Sequence, residues 1–337
     1  MNNKIIISNN MRAKDKMSFF AMHQIYHKIK AYKPDVDVQF HINWGHNTMG
    51  GSNVKDTEYY EAQSEENKKW SALIQEHFGH CLTDYNRDFL KNYVKKAYGY
   101  DDDGKFQTYD AIYMILLPHY LRRVLMEEYY LIYDNDILIN CDFHEITDAA
   151  LQHIPVLISE PANAACDKVL HPGLFSIYPN GKDIYLERNP NGVGFNGGFQ
   201  GIDLAIYDDF LSTDRFVKLL GLFDYRGTFD ENGNEIWGDQ RFLIETQQQS
   251  FFGLMNVMRS RLTPHILSPM DYFVVPNFGK IDHPKHGKLD REDGVDGWGL
   301  ALKSKITHFI GHTQGKGKPQ IFQERMNMYL KEHGFLE

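Results

Sequence analysis

The sequence predicts an α/β protein with a mixed, mostly parallel central sheet flanked by helices, and three observations lead there. The chain opens with a strand, a helix and a strand. A later helix pattern runs straight into a mid-chain apolar run, Tyr129 to Tyr133. That run is apolar on both faces and rich in aromatic and β-branched residues, as expected of a strand buried between two helix layers.

Each element has its own local reason. Lys4 to Ser8 reads as the first strand, and Lys16 to Tyr32 as a helix whose apolar positions are Phe19, Met22, Ile25, Tyr26 and Ile29. Pro34 closes that helix before a second strand, Val36 to Ile42. From Gly45 to Lys69 the chain is polar and rich in Gly, Asn and Glu, the composition of a surface insertion. Helical patterns return over Lys68–Phe78 and Arg87–Tyr98, then over Tyr109–Met126, with Arg122 and Arg123 read as a solvated face. Val156 to Ser159 is a further short strand. Thr228-Phe229 and Ile236-Trp237 flank Asn232-Gly233, a hairpin signal; the acidic residues there do not complete a calcium loop. Pro264 to Leu300 reads as a long loop region. Ile321 to Leu330 is a helix that packs Phe322, Met326 and Tyr329 on the core, because its Arg325 and Lys331 are balanced by Glu324 and Glu332 and leave no basic face for a membrane. The 337 residues are expected to form one domain, 1–337, carrying the 45–69 insertion and the 264–300 loop region on its surface.

Composition narrows the classes of function. A 42% hydrophobic share, 14% aromatic, supports a large core and excludes global disorder. A formal net charge of -9 excludes a broad phosphate-neutralising face, so no nucleic-acid partner is expected. Three cysteines, Cys81, Cys141 and Cys166, have no metal-type spacing and fit a reducing compartment. No apolar run approaches the roughly 18 residues of a membrane span, and the first strand is too short for a signal peptide, so the expectation is a cytoplasmic protein without an integral membrane segment.

The chemistry is concentrated after the mid-chain strand, which delivers Asp134-Asn135-Asp136 and resumes as Ile137-Leu138-Ile139. Side chains at i and i+2 of an extended segment share a face, so Asp134 and Asp136 are expected to point together and Asn135 away. Two adjacent carboxylates repel unless one is protonated or a cation lies between them. A divalent metal is the economical explanation; the bland alternative is a solvated turn.

Three further segments add to that reading. Gly194-Phe195-Asn196-Gly197-Gly198-Phe199 lets backbone approach a ligand, and the Asn196 amide offers both donor and acceptor. Trp237-Gly238-Asp239-Gln240 is expected to open a helix with a carboxylate and an amide, Asp239 serving as an N-cap if it has no chemical role. Ile306-Thr307-His308-Phe309-Ile310-Gly311 leads into a Gly-rich loop with Lys316 and Lys318. Without that loop His308 would read as a structural histidine, and the lysines as solvated side chains. Two aspartates, an imidazole and diphosphate oxygens make a mixed O/N shell suited to Mn²⁺, with Mg²⁺ as a substitute.

The order Tyr-x-Asp-x-Asp, Phe-Asn-x-Gly, Asp-Gln, then His-Phe-x-Gly with Lys-Pro resembles the metal-dependent glycosyltransferases of the GT-A fold, specifically family 8, the glycogenin and lipopolysaccharide galactosyl- and glucosyltransferase group. The resemblance implies a retaining transferase moving a hexose, glucose or galactose, from a UDP-sugar donor to a hydroxyl of a glycan, lipid-linked glycan or protein. It implies that Asp134, Asp136 and His308 bind the metal and that Asp134 also lies near the ribose. Gly311 and Lys318, with Lys316, would hold the diphosphate, Asn196 and Gly198 would border the donor sugar, and Asp239 and Gln240 would act beside the anomeric carbon. Two rivals come from other classes: an Asp-x-Asp phosphatase or phosphotransferase with Asp134 as nucleophile and Asp136 as acid/base, and a non-catalytic, metal-dependent glycan-binding module.

Overall fold

In a computed structural model, residues 3–11, 14–44, 65–85, 87–99, 111–160, 180–190, 194–212, 214–217, 228–229, 235–236, 253, 255–268, 272–274, 281–283, 287–289, 304–309 and 320–337 are described. The chain begins with β1 (Lys4–Met11), α1 (Lys16–Tyr32) and β2 (Asp37–Trp44), the strand–helix–strand opening expected from its sequence. Both strands extend past the apolar runs that announce them. α1 starts where Asp15 caps it, accepting from the Ser18 amide, and ends at Lys33, whose amide bonds the Ile29 carbonyl ahead of Pro34.

Next come α2 (Glu65–Phe78), β3 (Leu82–Asp84), α3 (Arg87–Tyr98) and α4 (Ala111–Arg123), the last leading into β4 (Tyr129–Tyr133). The helix reaches back to Glu65, so residues 65–69 of the expected insertion are helical, and residues 45–64 lie outside the described residues. Then follow β5 (Ile137–Ile139), α5 (His144–Leu151), β6 (Val156–Glu160), α6 (Gly181–Arg188) and β7 (Gly194–Asp203). Short strands β8 (Thr228–Phe229) and β9 (Glu235–Ile236) pair antiparallel as the hairpin signal predicts. Four more strands, β10 (His265–Leu267), β11 (Tyr272–Val274), β12 (Ile281–His283) and β13 (Gly287–Leu289), lie in the stretch expected as loop. The described residues close with β14 (Ile306–His308) and α7 (Gln320–Glu332).

Seven strands form the main sheet in the order β10-β6-β7-β4-β1-β2-β3. It is mostly parallel: β7 alone runs antiparallel to its neighbours β4 and β6. Strand alternation divides the core into two layers, because Ile5, Ile7, Leu131 and Tyr133 face one helix layer while Ile6, Tyr130 and Ile132 face the other. The first layer holds α1 with α7 across it. Phe20 meets Phe322 and Tyr329 edge-on at 6.0 and 5.3 Å between ring centroids, and the Tyr329 hydroxyl lies 2.9 Å from His23 Nδ1.

A second sheet, β11-β14-β5, has three strands. Here the structure corrects one expectation. Asp134 to Asp136 do not continue an extended strand but form a turn, and the apolar runs on either side of it belong to different sheets. β4 is committed to β1 and β7 while β5 is drawn into an antiparallel ladder with β14, so the chain has to bend between them.

Candidate metal centre

The turn between the two sheets is tied from both sides. The Asp134 amide donates to the Gly198 carbonyl at 2.8 Å, prolonging the β4–β7 ladder, and the Phe309 amide donates to the Asp136 carbonyl at 2.8 Å, prolonging the β14–β5 ladder. Asp134 is therefore anchored to the large sheet and Asp136 to the small one. His308 sits opposite Ile137 in the β14–β5 register, which brings its imidazole to the same turn.

The three side chains converge. His308 Nε2 lies 3.2 Å from Asp134 Oδ2 and 3.1 Å from Asp136 Oδ1, and one ligand atom from each residue lies within 4.8 Å of the other two. Among the described residues no other group of three or more histidine, cysteine, aspartate or glutamate side chains has that spacing. His308 is 4% exposed and Asp136 9%, whereas the Asp134 side chain is 35% exposed. The centre is closed at its base and open on the Asp134 side, where a ligand can complete the shell.

Burial by itself would lower the His308 pKa. Attraction by Asp136, together with hydrogen bonds to Asp134 and Asp136, outweighs it and raises the pKa to about 10. The imidazolium thus occupies the position a cation would take between two acids. Two carboxylate oxygens and one imidazole nitrogen are a donor set that could hold a divalent metal ion, and His308 would have to give up its Nε2 proton to coordinate one.

Gly198 is part of the same construction. A Cβ built on it would stand 2.0 Å from His308 Nδ1 and 2.2 Å from Cε1, so the absence of a side chain makes room for the ring. The approach depends on an irregularity in β7. Leu157 of β6 pairs with Gln200, but the next residue, Ile158, pairs with Asn196, leaving Gly197, Gly198 and Phe199 bulged out of the β6 ladder toward the acidic turn. Of the residues expected to border a donor sugar, Gly198 lies against the imidazole, and Asn196 is placed by its backbone in β7.

Asp239, Gln240, Gly311, Lys316 and Lys318 lie outside the described residues, as does Cys166. Arg122, expected with Arg123 on a solvated face, makes an exposed ion pair with Asp208 through Nε and a terminal nitrogen at 2.6 and 2.9 Å. Sequence reasoning missed three polar residues: Asn9 and Ser18, which hold the turn through Asn135, and Gln24, which holds the backbone of β5 just after it. The available signal was that Ser18 and Gln24 interrupt the apolar stripe of α1, yet both are buried.

No known family profile and no curated protein matches this chain. It is similar to a solved structure of an active-site mutant of LgtC, at 11% identity over 98% of this chain and 95% of that one, with a TM-score of 0.45. It is also similar to the bifunctional glycosyltransferase WbbM (10% identity, 91% of this chain and 46% of that one, TM-score 0.45) and to mouse xyloside xylosyltransferase 1 (12% identity, 92% and 98%, TM-score 0.41).

Proposed function

We propose that the chain is a retaining glycosyltransferase of GT-A type that moves a hexose from a UDP-sugar to a hydroxyl acceptor with the help of a divalent cation, Mn²⁺ or Mg²⁺. One observation carries the proposal: His308, far along the chain from Asp134 and Asp136, meets both where β4 ends, at the carboxyl edge of a mostly parallel sheet. Ligands of open α/β sheets bind at that edge. When bound, the cation supplies positive charge that stabilises the departing diphosphate.

The protein's own groups do the rest. Asp134, on the open side, faces the incoming nucleotide, while buried Asp136 and His308 keep the centre dry. Lys316, Lys318 and the backbone at Gly311 neutralise the remaining diphosphate charge. Asn196 orients the donor sugar. As the glycosidic bond lengthens, positive charge grows on the sugar ring; Gln240 is assigned to shield and position that oxocarbenium-like centre, with Asp239 as its carboxylate neighbour. The acceptor hydroxyl attacks from the leaving group's side and passes its proton to a diphosphate oxygen, which retains configuration. A glycan, lipid-linked glycan or protein hydroxyl fits that role.

A panel of UDP-sugars, assayed for UDP release with Mn²⁺ and with chelator, tests the proposal. Release is expected to need the metal and to fall by at least about 100-fold in Asp136→Ala and His308→Ala. Metal-stimulated release that survives both substitutions would overturn the ligand assignment. Hydrolysis of a phosphomonoester without any nucleotide would favour the phosphatase reading, and uptake of free glycan without turnover the binding-module reading.

A further inference from the structure

Asn135, between the two carboxylates, turns its side chain away from them. Its Oδ1 accepts from Asn9 Nδ2 at 2.6 Å, and its Nδ2 donates to Ser18 Oγ at 2.9 Å. Asn9 belongs to β1, where it is 1% exposed and stands opposite Tyr133 in the β1–β4 register. Ser18 is buried in the first turn of α1, where its amide is held by the Asp15 cap at 2.9 Å. Both anchors are thus fixed by regular structure before Asn135 reaches them.

The backbone ties of the turn secure its ends, Asp134 to β7 and Asp136 to the β14 side. Neither fixes the middle, and the relative direction of the two carboxylates depends on how the middle residue is rotated. From this we infer that Asn135 is a positioning residue of the cation centre: its carboxamide, locked between β1 and α1, sets the angle at which Asp134 and Asp136 face His308. The inference deepens the proposed function, since it rests on that site holding a cation. A residue with no second hydrogen-bonding group, or with none, would leave the turn free to rotate about its ends and widen the carboxylate separation.

Outer partners of metal ligands are worth about 10- to 100-fold in metal affinity. Mn²⁺ binding to the nucleotide-free protein, read from the electron paramagnetic resonance signal of free Mn²⁺, should therefore weaken roughly tenfold in Asn135→Ala. Ser18→Ala, which keeps the capped amide and favours helix, should weaken it by a smaller factor and serves if Asn135→Ala does not fold. The double variant should bind no more weakly than Asn135→Ala, because both changes break one chain of bonds. Ile25→Val, a core change in α1 with no polar partner, should leave Mn²⁺ affinity at the wild-type value. Wild-type affinity in Asn135→Ala, or a loss in Ile25→Val as large as in Asn135→Ala, would overturn the positioning role while leaving the cation site standing. A wild-type protein that takes up no Mn²⁺ either alone or with UDP present would overturn both.

Discussion

At the scale of single residues, the least conspicuous member of the centre is a glycine. Gly198 is tied on the β4 side by the Asp134 amide and flanked by Asn196 and Gln200, which are paired to β6, so a methyl group 2.0 Å from His308 Nδ1 forces a shift, and the ring has to move. Gly198→Ala should therefore cost at least about tenfold in Mn²⁺ affinity, a loss comparable to removing an outer partner of a ligand. Titration calorimetry reads the affinity, and a crystal structure of the variant with its imidazole undisplaced would contradict the prediction. Spacing pointed to both aspartates because two adjacent carboxylates demand a counter-charge, and to His308 only through the Gly-rich, lysine-bearing loop that follows it and the order of the motifs. These signals could not show that Gly198 belongs with the imidazole, since that contact is made by the bulge at Leu157/Ile158 and not by any pattern within the Gly-rich segment.

At the scale of elements, β5 has only one strand neighbour among the described residues, β14, yet its other edge is not left bare. The buried side chain of Gln24 on α1 donates to the Ile137 carbonyl at 2.8 Å and accepts from the Ile139 amide at 3.0 Å, doing for β5 what a further strand would do. Gln24→Leu keeps the bulk but strands two buried backbone groups, so it should destabilise the protein by on the order of 3 kcal/mol. Urea denaturation measures this; an unchanged midpoint would show that β5 does not depend on the clamp. The longer helices α1 to α4 and α7 and the strands β1, β2, β4 and β6 were readable in advance because each carries its own apolar pattern, and the Lys16–Tyr32 helix is found with the bounds its pattern predicts; the eight-residue helices α5 and α6 and the strands β3, β7 and β10 were not. The split between β4 and β5 was not readable. Tyr129–Tyr133 and Ile137–Ile139 look alike as strings of apolar residues, and which sheet each joins is decided by partners elsewhere in the chain, β1 and β7 for one and β14 for the other. The strands of the 264–300 stretch escaped for a related reason, since three-residue strands are too short to establish a period.

For the molecule as a whole, buried histidines govern its response to acid. His23 has its pKa lowered to about 3 by burial and then by the neighbouring His27, His333 and His77; burial lowers His41 and His119 to about 4 each. Each is neutral in the folded state and takes up a proton near pH 6.5 on unfolding. Their stabilisation is therefore complete above pH 6.5 and is lost as pH falls toward 4, at about 1.4 kcal/mol per pH unit for each group. His308 has the opposite sign in the metal-free protein: with its pKa raised to about 10, its contribution is complete below pH 6.5 and is lost as pH climbs to 10. Differential scanning fluorimetry should show the melting temperature falling by more than about 5 °C between pH 7 and pH 5.5. A flat profile over that interval would mean that the three histidines are hydrated in solution. Among the described residues no helix is long and apolar enough to cross a membrane.

Asp134 hangs from one sheet and Asp136 with His308 from another, so a shared ion would be a rivet through two plates. Grip on the ion and alignment of the plates then become one mechanical property. A slackening far from the acids, anywhere along the three short strands of the lesser plate, would be felt as a looser hold on whatever the ion carries.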